Sequence, residues 1–523
     1  MTPFLQFRMW ARGGPPAERA LTGTVGALVI VLVLWALIPT SSHSSNVAAG
    51  GSSAIGPAAG GASGAQQPGS LGGATSAVAG GGSATAAPGS GAPAAVGGGA
   101  ASSGESGPVG GPVAAGPVGA PSGPQCPQGA TDKGVTADSI TVGVVIVDLG
   151  QLNPALGIPT FQDQQKLYTA LFDFYNKQGG VQCRKLVPKF YQDNVTDPSA
   201  EHATCLQIEQ DGVFAVLNNL DNPQEFNCVS QRHVPDVFYT SPHTPTMHQY
   251  APFVLAAPPD YDRLIKDYVV GAQQLGLLTG KKIGILEQTC YAEENTDIET
   301  DLAAIGFPSN KLSRYNYGCL TTATDTPDQD QSAALQFQRD GVNVVLATQR
   351  GAVTGFAQSA QNQGYRPKYV IMNDQLMSLI ADNSTPPPSS FDGAVAITTD
   401  AEGSSNTPGS QPSPATLECT KQTAALGFPP PDDQHRLAGQ LYGSGCDVTK
   451  IFVAAASHAP TLERTSLARG LAAAGALDLS YPGGPMHVTD PNVPTGGQSW
   501  RPAQWYSACT CWKVTDLRWR PGA

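Results

Sequence analysis

Ser139-Ile-Thr-Val-Gly-Val-Val-Ile-Val147 is a run of β-branched and apolar residues with one glycine. A run of this length without polar alternation reads as a strand covered on both faces, as in a parallel sheet. Outward from it, a helix is expected over Phe161 to Lys177, where Leu167, Leu171 and Phe174 recur at helical spacing and Gly179-Gly180 ends the pattern. The alternation then repeats. Further strands are expected at Leu186–Tyr191, Val213–Leu217, Asp236–Tyr239, Lys282–Leu286, Val342–Ala347, Tyr369–Met372 and Ala394–Thr398. Helices are expected between them, at Ala200–Gln210, Tyr261–Leu275, Thr296–Ala304 and Ser332–Arg339. Strand–helix alternation over such a length implies α/β units with parallel sheets, divided between two lobes with a cleft.

Composition is uneven along the chain. Gly 60 and Pro 44 make up about a fifth of the 523 residues, against roughly 12% in average usage, and charged residues are 13%. No Gly-X-Y period runs through the chain, so a collagen-like fibre is excluded. Only one long apolar run exists, so a polytopic membrane protein is excluded. The net charge of −12 argues against a nucleic-acid partner. The apolar run lies within Ala20 to Ile38, which carries no charged residue and follows Arg8, Arg12 and Arg19. It is long enough to span a bilayer, and the positive-inside rule puts residues 1–19 in the cytoplasm and the rest outside. A retained anchor at 20–40 and a cleaved signal peptide, with Val47-Ala48-Ala49 as the cleavage segment, both export the remainder. Residues 41–125 are Gly/Ala/Ser/Pro with almost no large apolar side chain and read as a disordered tether. As a random coil of ~5.5 Å × √n, the tether has an r.m.s. span of about 50 Å.

All ten cysteines fall in 126–523, the expected folded domain, and their even number in an exported segment implies disulfides. No CxxC pair suggests a zinc ribbon. No GxSxG, HExxH or complete P-loop occurs, and Gly276-Leu-Leu-Thr-Gly280-Lys281-Lys282 reads as a helix end before a strand. No activated nucleophile or acid pair marks an enzyme, and no cofactor is implied. His243 and His248 share a loop without a Cys or acid beside them in sequence, so no metal is assigned to them.

In open parallel sheets ligands sit beyond the carboxyl ends of the strands. The segments there are Asp148–Asn153, Asn218–Gln224, Thr240–Thr244, Glu287–Tyr291, Thr348–Gly351 and Asn373–Gln375. They are rich in amides, hydroxyls and small residues, which suit hydrogen-bonded capture of a small polar solute.

Several of these stretches resemble a known family. Val135-Thr-Ala-Asp-Ser-Ile-Thr-Val-Gly-Val-Val145, Gly179–Asn194, Asp197-Pro-Ser-Ala200, Asp211-Gly-Val-Phe-Ala-Val216, Gly280-Lys-Lys-Ile-Gly-Ile-Leu286 and Asp340-Gly-Val-Asn-Val-Val345 resemble, in order and spacing, the type I periplasmic solute-binding proteins of the branched-chain amino-acid-binding class. The resemblance implies a two-lobed α/β fold with two parallel sheets joined by a three-strand hinge. Lobe one would hold about 138–257 and 400–487, and lobe two about 258–399 and 495–517, with a last strand near Tyr506–Val514. It implies a ligand site at Asp148, Leu220-Asp221-Asn222, Ser241, His243, Thr244, Tyr291, Arg350-Gly351, Asp374 and Gln375. Leu220-Asp221-Asn222 lacks the family's hydroxyl, and Asp221 repels a carboxylate. A cationic, amide-like or polyol solute therefore fits as well as an amino acid. The same topology implies the pairs Cys205–Cys228, Cys290–Cys319 and Cys419–Cys446, and leaves Cys126, Cys183, Cys509 and Cys511 open among three pairings. The expected function is delivery of a small polar solute to the permease of an ABC importer. The alternatives are a membrane-tethered sensor or orphan receptor working through a signalling partner and, further off, a cell-envelope hydrolase. The expected location is the outer face of the cell membrane, single-pass, or secreted after cleavage.

Overall fold

A computed structural model describes residues 129–523, apart from 149–152, 154–157, 194–197, 219–227, 289–291, 318–326, 348–351, 373–376, 378–379, 382–385 and 430–435. The expected anchor and tether, with Cys126, lie outside the described residues. Among the described residues no helix is long and apolar enough to cross a membrane.

The opening stretch forms β1, Ser139–Val147, with every residue from Val142 onward buried. It pairs in parallel with β2, Lys185–Asp193, on one side and β3, Ala215–Asn218, on the other. β4, Asp236–Phe238, and β5, Val254–Ala256, complete a five-stranded parallel sheet of order β2-β1-β3-β4-β5. The second sheet runs β12-β11-β10-β9-β8-β6-β7. Its parallel part consists of β6, Ile283–Glu287; β7, Leu312–Asn316; β8, Val344–Ala347; β9, Lys368–Met372; and β10, Val395–Thr398. The order β7-β6-β8-β9-β10 repeats that of the first sheet, so both have the reversal of strand order beside their first strand that creates a ligand crevice.

Helices cover the sheets because every parallel connection needs a crossover. α1, Phe161–Lys177, is capped by the Thr160 side chain, which accepts a hydrogen bond from the Asp163 N–H. It buries Leu167, Tyr168, Leu171 and Phe172 against the first sheet. α2, Pro198–Asp211, and α3, Thr244–Tyr250, follow in that half. α4, Tyr261–Gln274, packs on β9, β10 and β11, and so belongs to the second sheet. α5, Ala292–Ala304; α6, Pro327–Asp340; and α7, Ala352–Asn362, complete its layers. The chain then returns. α8, Pro414–Ala425; α9, Arg436–His458; and α10, Leu467–Ala473, join the first core, where Val448, Ile451, Phe452 and Ala455 pack with Val142, Val144, Phe214 and Leu217.

Two elements differ from expectation. The strand expected near Tyr506–Val514 is a hairpin of two antiparallel strands, β11, Ser499–Tyr506, and β12, Cys511–Val514. The turn is made at Thr510, whose φ of 52° puts it in the left-handed region, and the disulfide Cys509–Cys511 closes it. A short β13, Arg520–Pro521, pairs with the start of β11. β5, β7 and the return helices were not singled out by sequence pattern.

Cys205 and Cys228 are bonded across 6.2 Å between Cα atoms, and Cys419 and Cys446 across 5.9 Å. Cys290 and Cys319 lie outside the described residues. Cys183 is also disulfide-bonded.

Gly284 of β6 shows how tightly the second core is packed. A Cβ there would stand 2.5 Å from a ring carbon of Phe337 in α6, and Phe337 is wholly buried. Gly284→Ala should therefore destabilise the fold by about 1–3 kcal/mol through overpacking. Urea unfolding of the full chain should show a lower midpoint with an unchanged m-value.

Candidate functional site

Three passages of backbone connect the two sheets. The first runs from β5 through Ala257-Pro258-Pro259 to α4. The second leaves β10 at Thr399-Asp400, and the third reaches β11 through Thr495-Gly496-Gly497-Gln498. They lie side by side. Ala256 N donates to Pro494 O at 3.0 Å, and Gly496 N lies 3.1 Å from both Ala256 O and Pro258 O. Ala401 N donates to Tyr481 O at 2.8 Å and Gly483 N to Thr399 O at 2.6 Å, beside an antiparallel bridge of Asp400 with Pro482. Side chains reinforce the junction. The Asp260 carboxylate caps α4 and accepts from Thr244 Oγ1 at 2.9 Å, and Arg263 Nη2 donates to Gly496 O at 3.0 Å.

A recess of about 430 Å³ opens at this junction. Its lining includes Tyr239, Thr240 and Ser241 from the loop after β4, Thr399 and Asp400 from the second passage, and Gln440 of α9. The recess is open to solvent, and its lining offers hydroxyls, an amide and one carboxylate, groups that suit hydrogen bonding to a small polar solute. Asp400 Oδ1 accepts from Thr398 Oγ1 at 2.9 Å and from Glu402 N at 2.8 Å, which fixes its direction. Burial, with the carboxylates of Asp447 and Asp400 adding to it, pushes the Tyr239 hydroxyl well above its ordinary pKa and keeps it a donor.

Behind the recess, α9 carries a fully buried acid. Asp447 accepts from Ser480 N, Ser480 Oγ and Tyr481 N at 2.6, 2.8 and 3.0 Å, and so positions the segment that pairs with the second passage. Burial pushes its carboxyl up to about 7, against the pull of those hydrogen bonds. Asp267 of α4 is pushed up to about 6, again by burial, with the Ala523 N–H and Arg263 opposing.

The expected site residues are distributed unevenly. Ser241 lines the recess. Thr244 begins α3 and binds Asp260 at the junction. Asp148, at the end of β1, accepts from Asn153 Nδ2 at 2.8 Å and from Gln192 Nε2 at 2.9 Å, within the first lobe. Leu220, Asp221, Asn222, Tyr291, Arg350, Gly351, Asp374 and Gln375 lie outside the described residues. His243 is set differently from expectation. Acids absent from its sequence neighbourhood meet it in space: its Nδ1 lies 2.6 Å from Asp262 Oδ1 and 3.9 Å from Asp297 Oδ2. Those acids come from α4 and α5, so spacing along the chain could not reveal them. Burial raises the Asp262 carboxyl, but hydrogen bonds from His243 and Thr244 outweigh it and hold the group below its ordinary value. The sequence reading also passed over Thr399, Asp400 and Gln440. The first two directly follow the expected strand Ala394–Thr398, so the strand-end rule applied to the other strands would have found them.

These sheets, their shared strand order and the hinge between them give the fold of the type I periplasmic binding proteins. Solved structures agree at low sequence identity. A fatty acid ABC transporter substrate-binding protein from Thermomonospora curvata is 17% identical, with 76% of this chain and 95% of that chain covered at a TM-score of 0.53. A substrate-binding protein from Desulfitobacterium hafniense in complex with Leu is 15% identical, covering 72% and 100% at 0.51. A solute-binding protein from Rhodopseudomonas palustris with 3,4-dihydroxybenzoic acid is 13% identical, covering 74% and 98% at 0.50. No protein-family model matches the chain, and no curated protein does.

Two predictions follow from the junction. A Cβ on Gly496 would stand 1.9 Å from Ala257 O, so two hinge passages approach too closely for any side chain. Gly496→Ala should lower stability by about 1–3 kcal/mol and shift the thermal midpoint down. The raised acids set the pH response. Folded Asp447 and Asp267 hold protons up to about 7 and 6, where the unfolded chain releases them near 4. Below about pH 4 both states are protonated and this contribution is fully present; it is lost as pH rises toward 7. The thermal midpoint should therefore fall between pH 5 and pH 7.5, and calorimetry should show a weaker fall in Asp447→Asn.

Proposed function

We propose that this chain is an extracytoplasmic solute-binding protein, without catalytic activity, that captures a small polar ligand between its lobes and presents it to the permease of an ABC importer. The carrying observation is the recess beside the first two passages, lined by Tyr239, Thr240 and Ser241 of the first lobe, by Leu264 of α4 on the second, and by Pro258, Thr399 and Asp400 between them. A ligand there contacts both lobes at once, so its binding energy favours the closed arrangement, which a partner can distinguish from the open one. In this reading Ser241, Thr240 and Tyr239 hydrogen-bond the ligand's polar groups. Asp400 faces a cationic or amide group, a chemistry in line with the amino-acid-like, amide or cationic class inferred from sequence. The apolar segment 20–40 anchors the protein to the membrane and 41–125 holds the binding body away from it. The solved structures of similar fold support the binding role, being substrate-binding proteins of ABC transporters.

The test is a thermal-shift screen of the full chain in detergent against amino acids, amides, polyamines, sugars and aromatic acids. A cognate ligand at a hundredfold excess over Kd adds about 2.7 kcal/mol of stability. Asp400→Asn and Ser241→Ala should each weaken that ligand at least tenfold. Absence of a shift with every solute class would overturn the reading.

A further inference from the structure

His243, Asp262 and Asp297 form a cluster beside the recess, drawn from three elements. His243 stands in the loop between β4 and α3, on the first lobe. Asp262 lies in the first turn of α4 and Asp297 in α5, both on the second. One ligand atom from each lies within 4.8 Å of the others, and all three residues are half-buried. The imidazole is braced by the Tyr261 ring at 5.0 Å between centroids. Thr244 N donates to Asp262 Oδ2 at 3.1 Å and holds that carboxylate in place.

We propose that these three side chains bind a divalent transition-metal ion that links the lobes beside the hinge. Ligand atoms around a tetrahedral ion at ~2.0–2.1 Å stand about 3.3 Å apart. The 2.6 and 3.9 Å separations at His243 Nδ1 bracket that spacing, so adjustments of under about 1 Å seat an ion with water as a fourth ligand. One imidazole nitrogen with two carboxylates suits zinc and its neighbours, whereas calcium and magnesium take all-oxygen shells. The surroundings favour a cation. Burial raises the nearby Asp301 carboxyl, Lys266 opposes the rise, and Asp297 and Asp262 add to it, so a third carboxylate stands within electrostatic reach of the pair. Because its ligands come from both lobes, the ion stabilises one hinge angle and couples metal binding to solute binding, each changing the other's affinity by the same factor. The assignment does not depend on which solute the recess takes.

Calorimetric titration of the untagged, chelator-stripped full chain with zinc chloride tests the site. One zinc per chain with Kd near or below about 10 μM is expected, with zinc X-ray absorption showing one imidazole and otherwise oxygen ligands. His243→Ala and Asp297→Asn should each weaken zinc at least tenfold. Asp297→Asn keeps the His243–Asp262 hydrogen bond, and its far-ultraviolet circular-dichroism spectrum without metal should match the parent's, so that lost zinc affinity is read on a folded chain. Absence of zinc binding up to millimolar, equal affinity in both variants, or coordination by several imidazoles would each overturn the proposal.

Discussion

The amide of Gly496 is shared between the carbonyls of Ala256 and Pro258, and the rest of the molecule is arranged around that contact. Two passages of the chain can approach so closely only because position 496 has no side chain. The second passage is fixed through Tyr481 and Gly483, and those residues follow Ser480, the principal partner of buried Asp447. Backbone hydrogen bonds therefore restrain sliding of the lobes past each other but leave rotation about the junction as the soft motion. Any substance held in the adjoining recess acts near the pivot, where contacts to both sides are made at once.

The same geometry explains why polar chemistry gathers here. A parallel sheet is covered on both faces by its crossovers, so its uncovered polar positions are the strand ends. Tyr239 through Ser241 follow β4, and Thr399-Asp400 follow β10. Buried acids beside that line, Asp447 and Asp267, are held by hydrogen bonds from chain segments that approach the hinge: Ser480 and Tyr481, and Ala523. Their raised affinity for protons is the electrostatic cost of burying oxygens there to satisfy backbone donors.

Regular elements were legible because their residues announce burial directly. The β1 run, the helix at Phe161–Lys177 and the strands around Ile283 and Val344 have patterns that packing alone requires. Short strands such as Val254–Ala256 lack enough residues to show a pattern, and β7 carries Arg314 and Asn316 at an edge, which blurs it. Contacts between distant segments were the least legible. The pairs Cys205–Cys228 and Cys419–Cys446 followed from a resemblance in topology, while Cys509–Cys511 needed the hairpin that brings its ends together. The acids at His243 arrive from helices that begin 18 and 49 residues after it, and nothing in the local sequence points to them.

The first sheet is complete in sequence by Ala256, yet one of its faces rests on α9, which begins 180 residues later at Arg436. A chain that emerges from its amino end exposes Val142, Val144 and Leu217 before Val448 and Phe452 exist to cover them. The five parallel strands of the second sheet, β6 to β10, are synthesised in that interval, and β11 and β12 only after α9. The first half thus waits, as an incomplete core, for the second to be made, and native contacts of such long sequence separation form slowly. Biogenesis therefore places its greatest demand for chaperoning on the amino-terminal half, although that half is the first to be available.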